Sequence, residues 1–167
     1  MGSQSHYGCI MLLSSIGVDA LHVPYRGVAP AHNDLMGGQI DFMCDQPTGV
    51  LQYVSAGKMN AVAVLGNQRI AQLPKLGTAS SQGFKDTNVR VWTGIFAPKG
   101  TPPEIIKRLN DAMVQAAKDS DLIKQAATVG LDLPLEFTAS PGNLSMMMVL
   151  GARRDAPLLQ ARKEFLD

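Results

Sequence analysis

The stretch "VPYRGVAPAHNDLMGGQIDFMCDQ", residues 23–46, decides the fold, because it places turn-forming residues between two apolar runs. Pro24 ends the first run, and Ala29 with the proline after it suits the first turn of a helix. The Gly37-Gly38 pair ends that helix, and "QIDFMCD" is apolar enough for a strand buried on both faces. This order of strand, helix and strand predicts one unit of a parallel α/β sheet.

The same alternation continues on both sides of this stretch. Upstream, "GSQSHYGCIMLLSSIG" has helical apolar spacing, with Ser3 or Ser5 as N-cap and Gly17 as its stop. Downstream, "QPTGVLQYVSAGK" predicts a helix and "MNAVAVLG" predicts a strand. We therefore expect a parallel-rich sheet flanked by helices. Its strands are expected near residues 21–24, 40–44 and 60–65.

The clearest helical pattern in the second half is "TPPEIIKRLNDAMVQAAKD". Thr101 is expected to cap this helix, and Glu104 at its third position to complete a capping box. Its apolar residues recur at helical spacing, which predicts one buried stripe. The stripe consists of Ile105, Ile106, Leu109, Met113 and Ala116. An extended strand is expected just before this helix, over residues 91–97, and Met146–Met148 in the last helix are expected to fill a core.

The composition limits the function classes. The 167 residues suffice for one domain, or for one lobe plus part of another, and 46% are hydrophobic against 17% charged. A net charge of +1 provides no basic field for nucleic acid, and aromatic residues at 5% do not indicate a base-stacking surface. No apolar run of about 18 residues is present to span a membrane. The sequence therefore predicts a globular protein with no nucleic-acid partner.

The two cysteines, Cys9 and Cys44, show no CxxC or metal-ligand spacing. Their apolar neighbours favour two small buried thiols, and the sequence does not decide whether the two cysteines form a disulfide. His32 and Asp34 are two residues apart on a predicted helix and do not share a face, which argues against a metal site. No P-loop, GxGxxG, HExxH or GxSxG pattern occurs. The sequence thus predicts no cofactor, no metal and no catalysis, and it assigns no ligand-binding role to His32.

Three turns suit a small anion. The turns "GSQSH", "YRGVAPA" and "DQPTG" each lie at the start of a predicted helix, whose first N–H groups have no intrahelical partner. In an open parallel sheet these turns lie together, beyond the carboxyl ends of the strands. Asp45, at the end of its strand, is placed to meet a ligand, whereas Arg26 could pair with an anion or stay solvated.

Four blocks in one order carry a family resemblance: "GSQSH", the opening stretch, "AGKMNAVAVLGNQRIAQLP" and "WTGIFAPKGTPPEIIKRLNDA". Over residues 2–133 the chain resembles the second half of tripartite tricarboxylate transporter substrate-binding proteins, the TctC-like or Bug-type periplasmic receptors. The resemblance implies a two-lobed clamshell, located in the periplasm, that captures small carboxylic acids for a membrane permease. The residues it implies for one wall of the cleft are Ser3, Gln4, Ser5, His6, Tyr25, Gly27, Ala29 and Asp45.

The resemblance also sets expectations for domain organisation. Residues 1–90 would form the second lobe, and residues 91–167 an orphaned strand and helix portion that returns to the first lobe. No export signal precedes this lobe, so we expect a truncated reading frame or a processed fragment. The exposed second part is expected to drive self-association by exchange between two copies, and carboxylate binding is expected to be weak.

Three other functions stay open from the sequence. One is the effector-sensing domain of a regulator, which would need a helix-turn-helix module in the same chain. Another is an enzyme built on the same lobe, against which the lack of a nucleophile–base pair argues. The third is a self-associating remnant that binds no ligand.

Overall fold

The computed structural model describes residues 3–85, 87–89, 93–131, 133 and 140–160. Within this part of the chain lie six α-helices and one short 3-10 helix at Ser80–Gln82. The α-helices are α1 (Gln4–Ile16), α2 (Val28–Met36), α3 (Pro47–Ser55), α4 (Pro103–Ala116), α5 (Ser120–Thr128) and α6 (Pro141–Gln160). The described residues form two compact units, residues 3–89 and residues 93–160. No helix in these ranges is both long and apolar enough to cross a bilayer.

The three helices of the first unit lie where the sequence predicts them. Helix α1 begins after Ser3, whose side-chain oxygen accepts the N–H of His6 at 3.2 Å, and it ends at Gly17 with φ 66°. Helix α2 begins after Gly27, whose φ of 106° suits only glycine, and it ends at Gly37. Helix α3 starts with a proline at its first position. The Gly, Pro and Ser positions therefore place these helix ends correctly.

The predicted parallel sheet is not shown. In the part of the chain that the structure describes, one isolated parallel bridge joins Val64 and Thr78, and residues 21–24 and 40–44 form no strand. Leu21 is 92% exposed, although a strand of a covered sheet would bury it. A strand requires ladder hydrogen bonds to a neighbour, and an apolar run between turns predicts where a strand could form but supplies no partner.

The core of the first unit comes from the helices and from the segments that follow α3. Its buried apolar side chains are Ile10, Met11, Leu13, Ala31, Leu51, Met59 and Ala79. A disulfide between Cys9 and Cys44, with Cα atoms 5.5 Å apart, joins α1 to the segment before α3. The prediction of two free buried thiols is therefore wrong, because the fold brings together two half-buried residues that the sequence separates by 35 positions.

In the second unit, the predicted capping box of α4 is wrong. Helix α4 begins at Pro103 with Pro102 as its N-cap, so Glu104 falls at the second helical position and no side chain caps this helix. The hydroxyl of Thr101 donates to the carbonyl of Pro98 at 2.8 Å. Helix α5 does have a side-chain cap, Asp119, whose Oδ1 accepts the N–H groups of the second and third residues of α5.

The apolar stripe of α4 does not form a core within this chain, in line with the expectation that the second part is exposed. No α4 residue is buried, and Ile105, Leu109 and Met113 are 40% to 48% exposed. The methionines of α6, expected in a core, are likewise exposed. Among the described residues of this unit, Ala126 is the one buried apolar side chain. The predicted strand at residues 91–97 lies partly outside the described residues, and its described part, residues 93–97, forms no strand.

Candidate functional site

A cavity of about 740 Å³ in the first unit lies against the starts of three helices. Residues 3–6 line it from the start of α1, Gly27 and Val28 from the start of α2, and Gln46 and Thr48 from the start of α3. The rest of its wall comes mainly from residues 20–25 and 39–45. We call this space the helix-end cavity.

The polar lining of the helix-end cavity combines backbone N–H groups with side chains, among them the carboxylates of Asp41 and Asp45. The first N–H groups of a helix have no intrahelical partner, and together they carry roughly half a positive charge. No side chain caps α2 or α3. In α3, however, Pro47 has no N–H and the N–H of Gly49 donates to the carbonyl of Gln46 at 3.0 Å, so only part of its first turn is open to a ligand. None of the residues that line the cavity is a lysine or an arginine. Its attraction for an anion would therefore rest on helix ends and hydroxyls.

Seven of the eight residues that the sequence singles out line this cavity. They are Ser3, Gln4, Ser5, His6, Tyr25, Gly27 and Asp45. Ala29 does not, because α2 turns Val28 and Ala31 toward the cavity and leaves Ala29 exposed. The structure thus brings the "GSQSH" turn, the "PYRG" loop and the residue before Gln46 to one place.

Asp45 is engaged on both carboxylate oxygens. Its Oδ2 lies 2.7 Å from Nε2 of His32, and its Oδ1 accepts the N–H of Gln46 at 2.7 Å. Ser5 Oγ donates to the same Oδ1 at a longer 3.4 Å. The side chains of His32 and Asp45 are 5% and 6% exposed, so this is a buried pair. Both carboxylate oxygens of Asp45 therefore already have hydrogen-bond partners in the protein, which leaves little acceptor capacity for a ligand.

His32 is the residue of this site that sequence reasoning missed. It lies in α2, and the edge of its ring contacts Tyr53 with centroids 5.1 Å apart. The signal available in the sequence was its spacing, since His32 follows Val28 by four residues and shares its face of α2. That spacing predicts which face a residue occupies. It does not show that Asp45, 13 positions away, lies across from that face.

Tyr25 presents its ring to the helix-end cavity, whereas its hydroxyl is already in use. The hydroxyl donates to Oδ2 of Asp34 in α2 at 2.8 Å. This hydrogen bond to a carboxylate raises the pKa of Tyr25 above its ordinary value of 10.0. The pair ties the loop before α2 to the middle of that helix.

Two histidines stack in the wall of the cavity. The rings of His6 and His22 have centroids 4.3 Å apart and an interplanar angle of 30°. Burial, and then the positive charge that His22 can carry, lower the pKa of His6 below its ordinary value of 6.5. The neutral form of His6 is therefore favoured in the folded chain.

The fold is that of periplasmic binding proteins. The chain is similar to the solved periplasmic binding protein BugD, with a TM-score of 0.88 and 35% identity over 96% of this chain. It is similar to MatC from Rhodopseudomonas palustris, solved with bound malate, with a TM-score of 0.88 and 32% identity over 95% of this chain. A UPF0065 protein from the tcbD-tcbE intergenic region of a Pseudomonas species is 36% identical over 78% of this chain.

The family follows from a match over nearly the whole sequence. The model of the TctC family, described as tripartite tricarboxylate transporter family receptors, matches residues 1–161. The chain belongs to this family, whose members are periplasmic solute-binding proteins and not enzymes. It spans 39% of the length of the Pseudomonas relative, 53% of BugD and 54% of MatC.

Proposed function

We propose that this chain acts as the substrate-binding component of a tripartite tricarboxylate-type transporter and takes small carboxylates in the helix-end cavity. The observation that carries this proposal is the convergence of three helix N-termini on one cavity whose lining contains no lysine or arginine. Such an arrangement favours a small anion through backbone N–H groups. The similarity to MatC, solved with malate, supports a carboxylate as that anion.

The roles of the cavity residues follow from their existing partners. Ser3 accepts the N–H of His6, which leaves its hydroxyl proton for a ligand. Ser5 holds Asp45 only at 3.4 Å, so its hydroxyl can turn toward a ligand at little cost. The ring of Tyr25 forms part of the wall, and Gly27 starts α2 with its N–H groups uncovered.

We expect this binding to be weak. The chain spans about half the length of BugD and of MatC. If a receptor of full length binds its acid with a Kd of about 1 μM, near −8 kcal/mol, and this chain supplies about half of that energy, about −4 kcal/mol is left, which corresponds to a Kd of about 1 mM. We expect this chain alone to bind carboxylates in that range.

The geometry gives no support to catalysis. Ser5 and His32 both contact Asp45 and not each other, so Ser5 is not paired with a histidine base in the way that nucleophilic catalysis requires. We propose transport partners instead. The receptor would deliver its carboxylate in the periplasm to the membrane components of the transporter.

Calorimetry with malate, citrate, glutamate and an aromatic dicarboxylate tests the binding proposal. The double change Ser3→Ala and Ser5→Ala should remove the binding signal of whichever acid binds, because it removes both hydroxyls and the cap of α1. Ser14→Ala is the matched control, since Ser14 is an exposed serine near the other end of α1. Binding that survives the double change, or no binding of any of the four acids at 10 mM, roughly ten times the expected Kd, would refute the proposal.

We also propose that two copies associate through the second unit. Its α4 and α6 expose a set of large apolar side chains that a monomer would rarely leave bare. These include Ile105, Leu109, Met113, Met146, Val149 and Leu150. Light scattering of the chain should show a dimer at high concentration, and Leu109→Glu should shift it toward monomer while the exposed Lys107→Glu does not. A strict monomer that binds no apolar dye would contradict this.

A further inference from the structure

We infer that His32 is a positioning residue for the carboxylate site and acts through Asp45, which it holds away from the bound anion. The inference rests on the function proposed above and assigns His32 a role in it. His32 does not line the helix-end cavity, whereas Asp45 does. Any effect of His32 on a ligand must therefore pass through its neighbour.

Asp45 poses a problem for a site that binds anions. Its carboxylate lies in the wall of a cavity bordered by three helix N-termini, so it competes with a ligand carboxylate for N–H groups there. It already takes one of them, the N–H of Gln46, which is the residue before α3. A second carboxylate can use the site only if Asp45 is prevented from taking more.

His32 supplies that restraint. Its Nε2 lies 2.7 Å from Oδ2 of Asp45, and because a carboxylate only accepts, the ring must present Nε2–H. The edge contact with Tyr53 in α3 fixes the plane of the imidazole. The hydrogen bond therefore holds the second oxygen of Asp45 against α2.

Gly49, in the first turn of α3, lies against the same oxygen of Asp45. A Cβ built on this residue would lie 2.7 Å from Oδ2 of Asp45, so the first turn of α3 already sits against the carboxylate. Without His32, Asp45 could not relax toward α3. The direction left to it is the cavity, where the uncovered N–H groups of α2 and the hydroxyl of Ser5 lie.

A matched pair of variants separates this role from a merely structural one. Methionine and glutamine have nearly the same length, but only glutamine can donate a hydrogen bond to Asp45. We expect His32→Met to raise the Kd for malate by at least about tenfold, as expected when a buried charge loses its partner. We expect His32→Gln to keep the Kd within about threefold of the unchanged chain.

The decisive variant combines His32→Met with Asp45→Asn. Removing the competing charge should return the Kd to within about threefold of the unchanged chain, although the packing around residue 32 is still altered. Asn33→Ala, an exposed change on the same helix, is the control. A Kd for His32→Met equal to that of the unchanged chain would overturn the inference, and so would a double variant as weak as His32→Met alone.

A readout without ligand keeps this test separate from the proposed function. In the ligand-free chain, His32→Met should shift the amide NMR signals of Ser5, Val28 and Gln46, because Asp45 then takes a different set of N–H groups. Adding Asp45→Asn should return the Ser5 and Val28 signals toward their original positions. If these shifts occur but malate does not bind the unchanged chain, the proposed function fails and the positioning of Asp45 stands. If shifts are confined to the neighbours of residue 32 in α2, the inference is wrong.

Folding is checked by the same spectra. Should His32→Met not fold, Gly49→Ala replaces it, because its added Cβ pushes Oδ2 of Asp45 from the other side while His32 is retained. We then expect the same amide signals to move and the Kd to rise. Unchanged amide signals in this variant would contradict the inference.

Discussion

The two units of this chain differ in how far their helices bury apolar side chains. In the first unit, α1 buries Ile10, Met11 and Leu13, and a disulfide and a buried ion pair join segments far apart in sequence. In the second unit, α4 has the clearer helical pattern, yet none of its residues is buried. A regular apolar stripe therefore shows that a helix forms, whereas burial depends on whether another element packs against the stripe.

The largest test of this comparison concerns the disulfide. Cys44→Ser opens a loop of 35 positions, and the released chain entropy should lower the free energy of unfolding by about 4 kcal/mol. Urea denaturation followed by amide exchange should place this loss in residues 3–89 and leave α4 protection unchanged. A reducing agent should have the same effect on the unchanged chain and none on a double Cys9→Ser, Cys44→Ser variant. Insensitivity of the unchanged chain to the reducing agent would disprove the disulfide.

A pair of leucines compares the two units directly. Leu51 in α3 is 7% exposed and Leu109 in α4 is 48% exposed. Leu51→Ala should lower the free energy of unfolding by about 3 kcal/mol, because it leaves a cavity. Leu109→Ala, measured at a concentration low enough to keep the chain monomeric, should change it by less than about 0.5 kcal/mol, because alanine favours helix and little burial is lost within one copy. Equal losses in urea titrations would show that α4 is packed after all.

The smallest expected effect concerns pH and lies in the first unit alone. Burial and His22 lower the pKa of His6, so the unfolded chain binds this proton more readily than the folded chain. The stability that His6 contributes is complete above its ordinary pKa of 6.5, and it is lost as pH falls below 6.5 through the lowered value. The urea concentration at the unfolding midpoint should decrease as the pH is lowered from 7.5 to 5.5. The change His6→Gln should make this dependence on pH weaker.

The matched change His22→Gln should flatten the slope less, because the charge of His22 is the second cause and burial the first. The second unit should show no dependence on either change. A slope for His6→Gln equal to that of the unchanged chain would contradict the assignment to His6.

Much of the helical framework was predictable from sequence, and the reason is local. Ser3, Gly17, Gly27 and Pro47 act on backbone groups within one turn of themselves, so their effect does not depend on the rest of the fold. The predicted cap of α4 was wrong because the helix begins at Pro103, one residue later than a cap at Thr101 requires.

The candidate site was predictable in outline. The turns that begin α1, α2 and α3 could be read as anion sites from the serine, glycine and proline positions, and the structure brings these turns to one cavity. Their roles as ligand contacts are still predictions. The sequence could not show which partner Asp45 has. Its position at the end of a predicted strand suggested that it faces a ligand, whereas the structure pairs it with His32.

The sequence by itself determined where α1, α2 and α3 begin and end, and which turns carry uncovered N–H groups, because helix ends depend on neighbours within about four residues. Only the tertiary structure decided that Cys9 joins Cys44, that His32 meets Asp45, and that the apolar face of α4 lies open. These outcomes depend on contacts between residues distant in the chain. A local residue pattern indicates which kind of contact a side chain can make, and the tertiary structure determines which residue, if any, it contacts.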